Sequence, residues 1–414
     1  TSKTKEDRAL LDKCVRQLVQ CAILCKSDYV LTGSLKMISS MITWDLPAIE
    51  ASVQPILDLV FKLMRLSSSG SGGTDVRQSC FRTIALLLRK KKANISNSRM
   101  RIIISMAEAD LDQMFSQNAT FSLIKAIIKR QVVLPEAYDL VTRISKLLIT
   151  SLKPAVQNLC AQVLSDFLKI YPMGNKRRQE HMNAVLKNLA YPYETGRLSA
   201  LKMMERLVNE LSTESLNLQA KSFYVQMVLR LVNEDSKECL EKVSSCLVSM
   251  LEKIGSGVFD DMIKMAVQWV NVDGEDTQQR QMRIAGLKCI ASGFEARPKR
   301  TSKHFKVISR LLKAQEERAD ESDWETIYHA LVAVEKAKIY VDVATLMRHD
   351  HPWVRAVACR VLKSGLESKG NIFTTDESIF QAIKSTCHQL KADLNADAAG
   401  VVGDILTLLS EVMS

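Results

Sequence analysis

The feature that most constrains this chain is a recurring helix-turn-helix phrase, clearest at Asp350 to Leu362 (DHPWVRAVACRVL). A polar turn, then Val, Arg and small or aliphatic residues at helical spacing, is how the second helix of a HEAT-type repeat opens. Looser copies stand at Asp75 to Leu87, Asn118 to Ile128, Lys153 to Leu164 and Glu194 to Leu207. Their anchors Val30, Val76, Ala119, Val156 and Arg197 follow one another at roughly the forty residues of one unit. A two-helix unit of that size cannot cover its own apolar stripes, so each must bury them against its neighbours.

The expected fold is therefore all-α, a HEAT-repeat alpha-solenoid built as a superhelical stack of helix pairs. Leu35, Ile38 and Ile42, followed by Ile56, Leu59, Val60 and Leu63, recur at the spacing that places apolar residues on one helix face. Pro47, Pro55, Pro154, Pro172, Pro192 and Pro352 fall at element starts or turns, where a fixed φ and a missing donor do little harm. About ten repeats of this size fill the 414 residues. The expected organisation is a solenoid over residues 1–295 with a flexible loop near 67–73, a charged irregular loop or hinge over 296–323, and further HEAT-like repeats over 324–414. The loop at Ser67 to Gly73 (SSSGSGG) lacks the Lys and Ser/Thr of a phosphate-binding loop.

Lys plus Arg number 57 against 46 Asp plus Glu, a formal charge of +11. Such a field attracts polyanions, RNA and acidic protein tails alike. Three runs concentrate it: Arg89, Lys90, Lys91 and Lys92; Lys176, Arg177 and Arg178; and Arg297, Lys299 and Arg300. Each sits at a predicted helix end or turn, where flexible cations reach phosphates or helix C-terminal carbonyls. Charge runs are also common as plain solvated surface. Aromatics make up 6% of the chain and no RNP, KH or zinc-finger spacing occurs, so RNA contact is expected with backbone and shape rather than base identity.

No constellation predicts catalysis, a cofactor or a metal. The patterns G-x-S-x-G, H-E-x-x-H, the kinase set and a Gly-rich nucleotide fingerprint are missing from the sequence. Asp260 and Asp261 are adjacent, so on a helix they point apart and are expected to face solvent. His349 and His351 form an H-x-H pair without further ligands nearby, short of what zinc requires. Ten cysteines stand singly. They predict reduced thiols used as small hydrophobes, with Cys21 and Cys25 expected in the core. Trp44 and Trp353 are expected to pack between repeats. Every apolar run is broken by charged or polar residues well short of the roughly eighteen that span a bilayer, so neither a membrane role nor a small-molecule substrate is expected. The start at Thr1 suggests a piece of a longer protein.

Six blocks carry a resemblance to a known family: Tyr29 to Arg65, Gln78 to Lys92, Ala119 to Arg130, Tyr171 to Lys176 (YPMGNK), Tyr191 to Ala200 (YPYETGRLSA), and Cys387 to Leu390 following HDHPWVR. In this order the chain resembles the C-terminal region of component 20 of the small-subunit processome, the down-regulated-in-metastasis family of very large HEAT-repeat proteins. The resemblance implies a non-catalytic nucleolar scaffold that bridges pre-rRNA and assembly factors. Implied partners are pre-rRNA, the snoRNP of the processome and other assembly factors. A cargo-binding solenoid of the transport-receptor or phosphatase-scaffold type is the competing reading, although four Trp residues far apart do not form the ordered rows such grooves use. A third is the helical solenoid that precedes the kinase domain in phosphatidylinositol-kinase-related kinases.

Overall fold

A computed structural model describes residues 5–44, 47–67, 73–90, 95–111, 117–274, 276–317, 323–339, 343, 345–368, 377–391 and 396–413. The chain forms two compact units, Thr1–Leu207 and Val208–Ser414. Among the described residues all regular structure is helical.

The first unit contains α1 (Lys5–Leu24), α2 (Asp28–Thr43), α3 (Val53–Ser67), α4 (Thr74–Arg89), α5 (Asn97–Ala109), α6 (Gln117–Arg130), α7 (Pro135–Thr150), α8 (Pro154–Ile170), α9 (Asn175–Lys187) and most of α10 (Glu194–Glu210). Helices α2, α4, α6 and α8 pack side by side as one layer. Their partners α1, α3, α5 and α7 pack on them from the other side. This is the stacked pairing that the forty-residue spacing predicts, and the anticipated core residues Leu35, Ile38, Ile42, Ile56, Leu59, Val60 and Leu63 are all buried.

Burial follows helical period. In α4 the residues left accessible past the first turns are Arg82, Leu86 and Arg89; in α6 they are Asn118, Ser122, Lys125, Lys129 and the terminal Arg130. Each layer helix is thus held on three sides and shows solvent one stripe at i, i+4, i+7. Neighbouring layer helices are tied sideways by polar side chains: Ser39 to Thr83 at 3.0 Å, Arg89 Nη2 donating to Ser122 Oγ at 2.9 Å, and Lys125 Nζ donating to Gln162 Oε1.

The second unit holds α11 (Thr213–Asn233), α12 (Lys237–Lys253), α13 (Ser256–Val270), α14 (Thr277–Ala296), the short α15 (Pro298–Thr301), α16 (Phe305–Glu316), α17 (Trp324–Ala337), α18 (Pro352–Ser368), α19 (Glu377–Leu390) and α20 (Ala396–Met413). Here α12, α14, α17, α18 and α20 form the continuous layer. The repeat phrase opens α18, and the helix expected to precede it is represented by a 3-10 turn, Leu346–Arg348, packed on α18.

Turn chemistry explains where helices begin. Ser96, Ser212, Ser236, Asp276 and Asp323 each accept a backbone N–H of the first helical turn, satisfying donors that a helix start leaves orphaned. At α14 this becomes a reciprocal capping box between Asp276 and Gln279. Gly274, with φ +106°, precedes it, and a Cβ there would stand 2.0 Å from Gln279 Oε1.

The Arg of the phrase has a structural task. Arg355 Nη1 donates to the carbonyls of His349 (2.9 Å) and Asp350 (2.8 Å). Arg197 does the same for Tyr191 (3.3 Å) and Pro192 (2.7 Å), and Arg283 for Val272 (3.2 Å) and Gly274 (2.7 Å). Each guanidinium reaches back over the turn and satisfies carbonyls that the bend cannot pair.

Several expectations change. The segment 296–323, read as an irregular loop or hinge, is helical from Pro298 to Thr301 and from Phe305 to Glu316; Ile308 and Leu312 are buried one turn apart, a pattern hidden by the surrounding charge. The division between the two compact units falls at 207/208. Residues 68–72 of the expected loop lie outside the described residues. Trp44 does not pack between repeats and is 71% exposed. Cys21 is exposed and Cys25 half-buried, because α1 buries Val15, Val19 and Ala22 and turns its cysteines away.

Candidate nucleic-acid interface

The three basic runs differ in what their side chains do. Arg89 closes α4 exposed, and its guanidinium still donates to Ser122. Lys90 follows as the C-cap of that helix, where a cation favours the dipole's negative end. Lys91 and Lys92 lie outside the described residues.

In the second run, Lys176 and Arg177 are exposed on the first turn of α9. Arg177 covers the ring of Tyr138 at 4.6 Å, within reach of a cation–π contact. Tyr138 in turn stacks on His181 at 5.7 Å. Arg178 points inward and donates to the Leu168 carbonyl at 3.1 Å. Beside it an apolar cleft of about 280 Å³ lies between α7, α8 and α9, with Lys146, His181 and Lys187 at its margin. Burial lowers the His181 pKa and the Arg177 cation adds to that.

The third run is mostly engaged within the fold. Arg297 donates to the carbonyls of Glu252 (2.7 Å) and Ile254 and lies over the Phe259 ring at 5.0 Å. Arg300 grips Asp260 with two hydrogen bonds of 2.9 and 2.8 Å, and Lys303 joins at 3.3 Å. The Arg300 hydrogen bond holds the Asp260 pKa down to about 2. Asp260, expected to face solvent, is therefore the anchor of this run, while Asp261 is the exposed neighbour. Lys299 is exposed.

His351 of the H-x-H pair and two of the tryptophans form one aromatic patch. His351 stacks on Trp324 at 3.7 Å, and Trp353 meets both rings edge-on at 5.7 and 5.8 Å. Trp353 is 56% exposed, so it crowns the patch instead of filling a repeat contact. His349 Nδ1 accepts the His351 backbone N–H at 2.9 Å, an occupied nitrogen rather than an open ligand position. Among the described residues no three His, Cys, Asp or Glu side chains are grouped to hold a metal, and no helix is long and apolar enough to cross a membrane.

An open groove of about 510 Å³ runs over α12, α14 and α17, lined by Glu241, Lys288, Tyr328 and His329 among others. Burial holds the His329 pKa near 3 and lowers that of Lys288, whose Nζ donates to the Leu231 carbonyl at 3.2 Å. At these two positions burial disfavours positive charge.

The runs miss a second set of cations. Arg82, Lys125 and Lys202 stand singly in the sequence and Lys129 stands beside Arg130, yet all four are accessible on α4, α6 and α10. The signal available beforehand was seven-residue spacing within a helix and forty-residue spacing between helices, not adjacency.

No family model matches the chain. Over 314 residues it is 24% identical to U3 small nucleolar RNA-associated protein 20 of Schizosaccharomyces pombe, covering 72% of this chain and 13% of that protein. To the protein of the same name from Saccharomyces cerevisiae it is 21% identical over 388 residues, 90% of this chain and 15% of that protein. The chain thus spans about a seventh of the length of the curated relatives it matches. Among solved structures, the karyopherin Kap121p bound to the SUMO protease Ulp1p superposes with a TM-score of 0.56 at 12% identity, over 99% of this chain and 42% of that one. A structure of Kap95p with RanGDP gives 0.53 at 11% identity, over 100% and 52%. At these identities the likeness is one of fold.

Proposed function

From the homology of this chain to U3 small nucleolar RNA-associated protein 20 of two yeasts, we propose that it is a scaffold segment of the small-subunit processome. It bridges pre-rRNA, its snoRNP and neighbouring assembly factors in the nucleolus during small-subunit rRNA processing, and it performs no catalysis. The observation that carries this reading is similarity running through 90% of the chain, too extended to be the trace of one shared motif.

The architecture suits that task. A stack of helix pairs offers many surfaces on one framework, and contacts that are individually weak sum to stable association when presented together. A net charge of +11 favours partners rich in phosphate or carboxylate. Of the ten residues in the basic runs, Arg89, Lys176, Arg177 and Lys299 present their charge outward and are assigned to polyanion contact, together with Lys90, Lys91 and Lys92. Arg178, Arg297 and Arg300 spend hydrogen bonds on the fold and contribute to the field rather than to direct grip.

The test is UV crosslinking in cells, with sequencing of the attached RNA, combined with sedimentation. Reads on the small-subunit rRNA precursor or its guiding snoRNA, from a protein that sediments with pre-ribosomal particles, are the expected result. Background crosslinking without particle association overturns the assignment and returns the fold to cargo binding.

A further inference from the structure

We propose that the outward stripe of α15 and α16 in the second unit, formed by Lys299, Lys303, Lys306, Arg310 and Lys313, is a binding surface for the phosphate backbone of an RNA strand. This deepens the scaffold reading above and rests on it.

Charge is concentrated here by spacing rather than adjacency. From Arg297 to Gln315 there are seven Lys or Arg and no Asp or Glu, and five of the seven recur at intervals of four, three, four and three. That is the period of one helix face. The segment is wound throughout: α15, a 3-10 turn at Ser302–His304, then α16. Burial settles which way it faces. Thr301, Ile308, Leu312 and Gln315 are buried, whereas all five cations of the stripe are exposed. At about 1.5 Å per residue the stripe presents one cation per turn over roughly 20 Å.

Neighbouring carboxylates do not cancel this charge. Asp260 of α13 takes Arg300 at 2.9 and 2.8 Å and Lys303 at 3.3 Å. Asp261 lies 3.9 Å from Lys264. Glu252, whose carbonyl accepts from Arg297, stands at the α15 end, and Glu316 and Glu317 close and follow α16. Among the described residues Lys299, Lys306, Arg310 and Lys313 enter no side-chain hydrogen bond or ion pair. Four of the five cations are therefore unspent.

Helix chemistry does not call for them either. Lys306 stands in the first turn of α16, where the dipole disfavours a cation, and Lys313 alone occupies the last turn, where it helps. Lys306 with Arg310 at i, i+4 and Arg310 with Lys313 at i, i+3 are like-charge pairs, which repel along a helix. Crowding of this kind raises the free energy of the bare surface, and a polyanion laid along it relieves the repulsion.

The chemistry favours phosphate over an acidic protein. A protein partner gains affinity from apolar or aromatic anchors seated at the centre of the contact. Among the described residues no large apolar side chain is exposed on α13, α15 or α16. Phe305 is half-buried, its ring edge-on to Phe294 at 6.3 Å. Four of the five cations are Lys, compact charges on flexible stems that meet phosphate without a fixed geometry. With no exposed ring to stack upon, binding is indifferent to base.

The experiment titrates this chain with labelled oligouridine and, separately, with polyglutamate across a salt series. The stripe variant is Lys306→Gln with Arg310→Gln and Lys313→Gln. The control, Lys36→Gln with Lys62→Gln and Lys221→Gln, removes the same charge from exposed positions on α2, α3 and α11. Thermal melts verify that both fold. Each phosphate contact on single-stranded RNA contributes about 0.7 to the slope of log K against log salt, so the stripe variant should lose about 2 from that slope while the control keeps the parent's slope. Equal loss in both variants means a diffuse field and overturns the proposal, as does an unchanged slope in the stripe variant or a parent chain that binds no oligouridine. Polyglutamate binding that exceeds oligouridine binding and falls selectively in the stripe variant overturns it in favour of an acidic protein partner. Sedimentation of the protein with pre-ribosomal particles in cells reports on the scaffold reading separately, whichever way the titration falls.

Discussion

Arg77 Nε lies 3.2 Å from Asp110 Oδ1 across the boundary between successive helix pairs, and the Asp110 carboxylate is only 3% exposed. Thr120 Oγ1 donates to the other oxygen at 2.6 Å, and Arg77 Nη2 also reaches the Met106 carbonyl at 3.4 Å. One repeat's Arg thereby neutralises the buried acid that ends the next repeat's first helix. Replacing Arg77 by Ala leaves that carboxylate shielded and short of its cation, a change that costs about 3–5 kcal/mol for buried pairs. Arg77→Ala should fall in that range by urea denaturation. In a double-mutant cycle with Asp110→Asn the loss should shrink; additive losses would show that the pair is not coupled.

Asp260 offers a pH test. Its pKa in the folded chain, about 2, lies below the ordinary value of 3.8 because of the Arg300 hydrogen bond. A depressed carboxyl pKa stabilises the fold above its unfolded value, and that contribution is lost as the pH falls through the folded one. Side-chain NMR of Asp260 should show a midpoint near 2 in the parent chain and one shifted up toward the ordinary value in Arg300→Gln, where Lys303 still lowers it. Identical midpoints would mean that Arg300 does not hold the carboxylate.

Thiol reactivity should divide the cysteines by burial. Cys14 and Cys21 are exposed, whereas burial pushes the Cys80, Cys160 and Cys289 thiols up to about 12. The thiolate is the reactive species, so a thiol reagent at mildly alkaline pH should modify Cys14 and Cys21 within minutes and the three buried groups only with unfolding. Mass mapping of the modified peptides gives the readout, and early labelling of Cys160 would contradict the packing of α8.

Gly286 lies where α14 closely approaches α13. A Cβ there would stand 2.6 Å from the Ala266 carbonyl oxygen and 2.7 Å from Val270 Cγ2. Gly286→Ala should destabilise the chain by about 1–3 kcal/mol, the range for overpacking a tight interior, despite the better helix propensity of Ala. A rise in the melting temperature would show that the two helices have room to part.

The fold was legible because its determinants are local and repeat. Val76, Ala119 and Val156 mark layer helices at the interval a helix pair demands, and Leu35 and Ile38 lie on the face that burial later shows. The polar residues of the turns, such as Asp276 and Asp323, announce caps in the same way. The candidate site was harder to read because charge is settled by neighbours distant in sequence. Nothing beside Arg300 signals that Asp260, forty positions earlier, will claim it, or that the Ile254 carbonyl awaits Arg297. The RPKR run consequently looked freer than it is. Conversely Arg82 and Lys125 have unremarkable neighbours in sequence and come together only when α4 and α6 stand side by side. Cys21 shows the same limit: a small hydrophobe in sequence, it is turned outward by the register of α1.

The ties between helices also divide by how they respond to ionic strength. Neutral acceptors such as Ser122 and Gln162 hold their partners through short-range hydrogen bonds that added salt scarcely weakens, and the shielded Arg77–Asp110 pair is little screened, whereas exposed ties such as Arg101–Glu136 and Lys363–Asp404 rest on attraction that mobile ions screen. Rising salt therefore slackens the outer rim of each unit first and leaves its buried seams clamped, so the stiffness of the stack is set from the inside.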